Sequence, residues 1–209
     1  MSALASRAVT IVTSGHLSTC PRMVKAADAL AENGYEVLVV SAQFTDWATK
    51  ADADLLSRRP GKWKSATVDY RRSSGIRYFY SGARFRSAEF LVGLIGSDRS
   101  SLALAARARA RLHSELADAA ASQPAALVYG SGTALAAAAT AAERLEVPFA
   151  LDLEDFHTAE EDGTTRRSRQ AMELTGRIET ELLPKAAFLT GGSDAIARAC
   201  TRKYNVRVA

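Results

Sequence analysis

Short apolar runs alternate with longer amphipathic segments along nearly the whole chain. The first run, Ala8–Thr13, is rich in β-branched residues and predicts a buried parallel strand. After a loop of small and polar residues, Pro21 suits a first helical position, because its missing N–H would be unpaired there anyway. Apolar residues then recur at helical spacing as far as the stop at Asn33-Gly34, and residues 36–41 (EVLVVS) predict a second strand.

The same alternation continues to the end of the chain. Further strands are predicted at Ile76–Ser81, Ala125–Tyr129, Val147–Leu153 and Ala187–Thr190, with the first residues of another at 205–209. Helices are predicted at Ala51–Arg58, Asp98–Ser122, Ala134–Leu145, around Ala171–Leu182 and from Ser193-Asp194 to Lys203. Residues 58–74 are predicted to be irregular, and 82–97 have no clear pattern. The order of elements predicts an α/β fold with a doubly wound, mostly parallel sheet and helices on both faces.

Composition narrows the class of protein. The 209 residues are 47% hydrophobic and 24% charged with a formal net charge of +4, enough apolar material for one domain spanning 1–209. Cys20 and Cys200 have no metal-ligand spacing and make no disulfide framework, which favours a reducing compartment. The first apolar run is too short for a signal peptide or a membrane span, so we expect a cytoplasmic protein. Because residues 205–209 begin a strand-like pattern, we expect the natural chain to continue.

The loop Ser14–Cys20 is the first candidate for chemistry. It lies between a strand's carboxyl end and a helix N-terminus, where free N–H groups and the helix dipole attract anions. Gly15 alone does not make the glycine-rich dinucleotide fingerprint, and no P-loop motif occurs. A connecting loop without a ligand is an equally good interpretation.

Residues 152–157 (DLEDFH) form a second candidate. They place three carboxylates and the imidazole of His157 just past a strand's carboxyl end, where α/β sheets carry their chemistry. The alternative is a solvated, helix-capping acidic loop. Gly130-Ser131-Gly132 follows another strand, where its small residues either admit a ligand to the backbone or simply turn the chain. His113, between charged neighbours, is expected at the surface. No nucleophile elbow supports a serine hydrolase.

A basic and aromatic stretch runs from Arg58 to Arg86. It carries nine arginines and lysines against Asp69 alone, with aromatic residues interleaved, and the apolar segment Phe90–Ile95 follows. Such a region suits an anionic membrane surface or a lipid-phosphate acceptor. RNA is a weaker alternative because no RNA-binding motif accompanies the charge, and an ordinary solvated surface is the default. We expect no nucleic-acid partner, and peripheral membrane contact through Arg58–Ile95 is a hypothesis.

Three segments together resemble a known family. They are residues 15–40 (GHLSTCPRMVKAADALAENGYEVLVV), 147–160 (VPFALDLEDFHTAE) and 179–206 (ETELLPKAAFLTGGSDAIARACTRKYNV). In order and spacing they are similar to the N-terminal domain of a family 4 glycosyltransferase, which is retaining and has the GT-B fold. The resemblance implies that residues 1–209 form a Rossmann-like, acceptor-side domain, whose C-terminal donor-binding partner domain is absent.

The resemblance also implies an activity. A hexosyltransferase-like enzyme of this family moves a sugar from a nucleotide diphosphate sugar to an acceptor, here lipid-linked, a polysaccharide or another acceptor. It implies no metal and no cofactor, because the nucleotide sugar is a substrate. Segment 1–209 alone is expected to be inactive, and its open cleft face suggests a homo-oligomer. The alternative function is a non-catalytic Rossmann-like binding module.

Site residues follow from the family's motifs. By resemblance, backbone at Ser14, Gly15 and His16 approaches the donor diphosphate, and Arg22 touches the acceptor or a phosphate. Gly130 and Glu154 stand where members of the family carry histidines. Glu154, Asp155 and His157 are the candidate catalytic residues, which would orient hydroxyls. The candidate set for binding the donor diphosphate or the acceptor comprises Ser14, Gly15, His16, Arg22, Gly130, Ser131 and Ser193.

Overall fold

Six parallel strands form one sheet in a computed structural model that describes residues 7–155 and 163–209. The strands are β1 (Ala8–Thr13), β2 (Glu36–Gln43), β3 (Lys64–Asp69), β4 (Leu127–Ser131), β5 (Phe149–Leu153) and β6 (Leu189–Gly191). Their order across the sheet is β3-β2-β1-β4-β5-β6. From β1 the strands run outward to β3 on one side, and after a crossover they run outward from β4 to β6 on the other. This is the order of a doubly wound Rossmann-like sheet.

Helices cover both faces of the sheet. They are α1 (Pro21–Glu32), α2 (Asp46–Ser57), α3 (Ile76–Ile95), α4 (Leu102–Arg109), α5 (His113–Ala120), α6 (Leu135–Leu145), α7 (Arg166–Leu182) and α8 (Asp194–Tyr204). On one face, Ile11 and Val39 pack with Met23 of α1. On the other, Val12 and Leu151 belong to a larger apolar core built with α3 to α7. The predicted α/β class, with a parallel sheet and helices on both of its faces, is therefore confirmed.

The edge strand and the helix after it differ from the sequence prediction. Ile76–Ser81 is not a strand but the first part of α3, and the strand is β3, in the segment predicted to be irregular. In β3 only Ala66 and Val68 pack against the core, as is usual for a short, polar edge strand. The apolar residues of α3 surround the helix, so the pattern shows no single buried stripe.

Two other predicted boundaries were wrong. The single helix over Asp98–Ser122 is two helices, α4 and α5, because Ala110 is extended (φ −126°, ψ 111°). The cap of the first is Ser101 rather than Asp98, and its Oγ accepts the Leu104 N–H at 3.2 Å. The short helix predicted at Ala51–Arg58 is α2, which begins earlier, at Asp46. Gly130 and Ser131 are the last residues of β4 instead of part of a loop.

The last residue extends the sheet. The N–H of Ala209 donates to the carbonyl of Leu189, and the carbonyl of Ala209 accepts from the N–H of Gly191, both at 2.9 Å. This is the pairing of a parallel strand. Of the residues 205–209 predicted to begin a strand, only Ala209 pairs with β6, and 205–208 are not in a strand.

His113 is buried, contrary to the expectation of a surface position. Only 6% of it is exposed, and its Nδ1 finds no hydrogen-bond partner among the residues that the structure describes. Burial, together with the positive charges of Arg107, Arg144 and Arg84, lowers the pKa of His113 to about 4. The imidazole is therefore neutral in the folded chain at pH 7.

This buried imidazole predicts a loss of stability in mild acid. The unfolded chain takes up a proton near pH 6.5 and the folded chain only near pH 4, so acid favours unfolding between these values. From pH 7 to pH 5 we expect His113 alone to lower the free energy of unfolding by about 2 kcal/mol. Urea unfolding at both pH values measures it, with His113→Leu as the comparison. An equal loss in both proteins would contradict the assignment.

Candidate functional site

Four strands end in one row at the carboxyl edge of the sheet. Thr13 pairs with Ser131, Ser131 with Asp152, and Asp152 with Thr190. Adjacent strands are about 4.8 Å apart, so this row is about 14 Å long. We call the residues that directly follow it the carboxyl rim: Ser14, Gly15, Gly132, Glu154, Asp155, Gly192 and Ser193.

Glycines let the rim loops touch one another. Gly132 has φ +58°, and a Cβ on it would lie 3.2 Å from the Ser14 hydroxyl oxygen. A Cβ on Gly192 would lie 2.2 Å from the carbonyl oxygen of Glu154, a separation that no side chain tolerates. The N–H of Gly192 also donates to the carbonyl of Leu153 at 2.8 Å. The loops after β5 and β6 are therefore locked backbone to backbone.

His16 does not face this rim. It is fully buried, and its Nδ1 lies 2.7 Å from the carboxylate of Asp52, which is 1% exposed. Its Nε2 accepts backbone N–H groups of Phe44 at 3.0 Å and Thr45 at 3.2 Å. Since Nε2 accepts two N–H bonds, Nδ1 carries the proton and the ring is neutral. The imidazole joins the loop after β1 to α2, so only the backbone of residue 16 remains to meet a ligand.

The loop after β1 is held from several sides. The second oxygen of Asp52 accepts the Ser18 N–H at 2.8 Å, and the Gly15 carbonyl accepts the Ala42 N–H at 3.1 Å. The hydroxyl of Thr13 lies 3.0 Å from the Cys20 sulfur. Burial raises the pKa of the Cys20 thiol, so it stays protonated at neutral pH. The backbone path Ser14–His16 is consequently set before any ligand arrives.

Arg22 is committed to a partner that the sequence analysis did not foresee. Its Nε and Nη2 bind the two carboxylate oxygens of Asp152 at 2.9 and 2.6 Å, and Nη2 also reaches the Gly191 carbonyl at 3.2 Å. This fork matches guanidinium to carboxylate, and the hydrogen bonds to Asp152 raise the pKa of Arg22. Arg22 is 37% exposed and Asp152 fully buried, so the positive charge lies at the water side of the pair.

A chain of hydroxyl groups leads to the same carboxylate. Thr190 donates to Asp152 at 2.5 Å, and the Tyr129 hydroxyl lies 2.7 Å from the Thr190 hydroxyl. Because the Thr190 hydroxyl donates its hydrogen bond to Asp152, the Tyr129 hydroxyl is the donor in its hydrogen bond with Thr190. Burial raises the pKa of Tyr129 to about 12, which keeps that proton in place. Sequence reasoning missed both residues, although Thr190 and Asp152 end adjacent strands.

The remaining predicted residues divide between rim and interior. Glu154 is half-buried and Asp155 exposed, while exposed Ser193 accepts the Ile196 N–H at 3.3 Å and caps α8. Gly130 lies inside β4, where a Cβ would come within 2.5 Å of the Ala138 Cβ, so a histidine does not fit there. The side chain of Ser131 is buried as well. His157 falls outside the described residues.

The carboxyl rim therefore carries the carboxylates of Glu154 and Asp155 beside the N-terminus of α8, and Arg22 of α1 adds a positive charge next to it. Across the described ranges, 7–155 and 163–209, no group of three or more histidine, cysteine or acidic side chains is placed to hold a metal ion. A separate concavity of about 380 Å³ lies at the opposite, amino edge of the sheet, where Ala8, Glu36 and Lys64 begin their strands. Parallel α/β sheets bind ligands at the carboxyl edge, so the rim is the candidate site.

No protein-family model matches the chain, and no curated protein matches it. Solved structures do. Arabidopsis thaliana UGT89C1 complexed with UDP-L-rhamnose is 18% identical at a TM-score of 0.50, over 97% of this chain and 51% of that chain. UGT89C1 complexed with quercetin is 12% identical at 0.50, over 96% and 48%. LpCGTa in complex with UDP is 12% identical at 0.52, over 97% and 52%.

These neighbours decide the fold. The chain has the fold of one half of a GT-B glycosyltransferase. It spans about half the length of the solved proteins that it matches. At these identities the likeness extends to the fold alone, which confirms the predicted half of a GT-B architecture. This likeness does not extend to the family 4 assignment or to the retaining mechanism.

Proposed function

We propose that this chain is the N-terminal, acceptor-side half of a retaining, family 4 glycosyltransferase. The enzyme would transfer a sugar from a nucleotide diphosphate sugar to a lipid-linked, polysaccharide or other hydroxyl acceptor. The observation that carries the proposal is the carboxyl rim on a half GT-B fold, where loops after four strands meet beside a helix N-terminus. The second half of such an enzyme would supply the facing wall and most donor contacts.

The rim offers groups suited to a diphosphate and to sugar hydroxyls. The loop Ser14–His16 presents its backbone between β1 and α1, where N–H groups stabilise negative charge that develops on a leaving diphosphate. Arg22 adds a fixed positive charge at the same edge, since Asp152 holds it in place. The carboxylates of Glu154 and Asp155 can accept hydrogen bonds from hydroxyl groups, which would orient an acceptor.

The donor and acceptor classes take support from the neighbours. UGT89C1 is described with UDP-L-rhamnose and with quercetin, and LpCGTa with UDP. A UDP-sugar and a hydroxylated acceptor are accordingly the first compounds to try with this chain. Because most donor contacts belong to the other half, we expect residues 1–209 to bind UDP weakly, on the order of 1 mM.

Titration of the isotope-labelled chain with UDP, followed by amide NMR shifts, tests the site. We expect the largest shifts at Ser14, Gly15 and Gly192, and none with uridine, which lacks the phosphates. Glu154→Gln should leave the response to UDP unchanged and remove the additional shifts that a UDP-sugar causes. Shifts confined to Trp63 and its surroundings at the amino edge would overturn the site.

The same samples test whether this half can act alone. Incubated with radiolabelled nucleotide sugars and candidate acceptors, residues 1–209 should give no transfer, because retaining transfer needs the donor held by the second half. Robust transfer would refute the half-enzyme proposal while leaving the rim as the site. UDP binding without transfer supports both parts of the proposal.

A further inference from the structure

Helix α3 presents large apolar side chains to solvent near both of its ends. Ile76 is 84% exposed, Leu94 67% and Phe90 66%. The exposed large apolar residues of the helix are Ile76, Phe79, Tyr80, Phe90, Leu91, Leu94 and Ile95. Single exposed apolar residues are ordinary, but seven on one helix mark a binding surface. We call it the outer face of α3.

Helical geometry shows that this is one face. At about 100° per residue, the exposed apolar positions fall within an arc of roughly 160°. The opposite side of the helix carries Ser81, Ala88 and Val92, which are buried against the protein. From Ile76 to Leu94 the outer face runs about 27 Å. The helix thus has two apolar sides, one satisfied by α4 and the core and one without a partner among the described residues.

Positive charge borders the outer face. By the same geometry Arg77 lies at one edge and Arg86 beside the other, while Arg84 falls within the arc and pairs with Glu115. Arg167 from α7 is 77% exposed and contacts Glu89, the only acidic residue of α3, at 3.3 Å. An apolar strip between basic flanks is the pattern of a helix that lies in the plane of an anionic membrane surface.

We propose that the outer face of α3 docks residues 1–209 on an anionic lipid bilayer. The proposal does not depend on the sugar-transfer activity. The apolar side chains enter the boundary between headgroups and acyl chains, while Arg77 and Arg86 contact lipid phosphates. The helix lies on the bilayer rather than across it: no helix of the part that the structure describes has the length and apolar composition of a membrane span.

Charge favours a bilayer over a second copy of the chain. In a symmetric pair the same patch meets itself, so the arginines that flank one α3 would lie near those of the other. Like charges at an interface are unfavourable, whereas an anionic surface meets both flanks with the opposite charge. The sequence analysis had proposed membrane contact for this region from composition, and the helix gives it a defined surface.

Co-sedimentation with vesicles tests the proposal. The chain should bind vesicles of phosphatidylcholine mixed with phosphatidylglycerol, more weakly as salt rises, and should bind pure phosphatidylcholine at least about tenfold less. The triple variant Ile76→Ser/Phe90→Ser/Leu94→Ser should lose at least about tenfold in partitioning. Arg77→Glu/Arg86→Glu should lose a similar factor on the anionic vesicles alone.

Matched variants separate this surface from general effects. Tyr35→Ser removes an apolar residue that is 40% exposed before β2, and Arg202→Glu reverses a charge on α8; both should bind like the unchanged chain. Because the substituted residues of α3 face solvent, thermal unfolding should not shift. Binding that the triple variant retains, or equal binding to both vesicle types, would overturn the proposal. The proposal would also be overturned if the unchanged chain bound no vesicles but formed a dimer in light scattering that the triple variant did not form.

Discussion

His16→Ala should lower the free energy of unfolding by about 4 kcal/mol. The substitution leaves the buried carboxylate of Asp52 with only the Ser18 N–H, and it removes the acceptor of the Phe44 and Thr45 N–H groups. Deleting the donor of a hydrogen bond to a buried carboxylate costs several kcal/mol because the negative charge of Asp52 stays buried without it. Urea unfolding at pH 7 measures the change.

Two neighbouring acids in α2 supply the control. Asp52→Asn should cost about 2–3 kcal/mol, because the amide NH2 group would face the donor of either His16 or Ser18. Asp54→Asn breaks only an ion pair with Arg58 whose side chains are 61% and 71% exposed, and should change stability by less than about 0.5 kcal/mol. If His16→Ala left stability unchanged but abolished UDP binding, the imidazole would act at the site instead.

The opening strand, loop and helix could be predicted from sequence because every local preference agrees there. The apolar run Ala8–Thr13 became β1 without a shift, Pro21 is the first residue of α1, and Asn33 follows the last. Nothing in that segment competes with the pattern, so propensity and packing give the same answer.

The region 64–95 could not be predicted because its burial pattern is unusual. β3 is an edge strand with only two residues against the core, and α3 is apolar on two opposite sides. A period of 3.6 is recognised by contrast between faces, and α3 lacks that contrast. The feature that misled the prediction is the same one that makes the outer face available to a partner.

For the candidate site, the order of elements predicted which residues lie at the carboxyl edge of the sheet, but not which side chains bind one another there. Polar residues after parallel strands must meet at the carboxyl edge, which located Ser14 and Glu154. That Arg22 would pair with Asp152, 130 residues away, or His16 with Asp52, depends on packing across the molecule. The side chains of Arg22 and His16 therefore hold the loops that carry the backbone groups.

Arg22→Met should destabilise the chain by about 3 kcal/mol. The fork of Nε and Nη2 is lost, and the fully buried carboxylate of Asp152 keeps the Thr190 hydroxyl as a donor but no longer has a positively charged partner there. Arg22→Lys restores the charge but not the bidentate geometry, so it should recover only part of the loss. Arg58→Met, which removes an exposed pair, is the control and should cost less than about 0.5 kcal/mol. Urea unfolding of the three variants ranks them.

The two partners of this pair should not be equivalent. Arg22 is 37% exposed, so in Asp152→Asn its guanidinium can turn to water, and the cost should be about 1–2 kcal/mol, below that of Arg22→Met. Asp152→Asn also removes the negative charge that neutralises Arg22, so this variant should bind UDP more tightly while unfolding more easily. Weaker UDP binding in that variant would mean that the arginine serves the ligand only in the orientation that Asp152 imposes. Equal costs for the two substitutions would show that the charge at the carboxyl rim is less exposed to water than its geometry indicates.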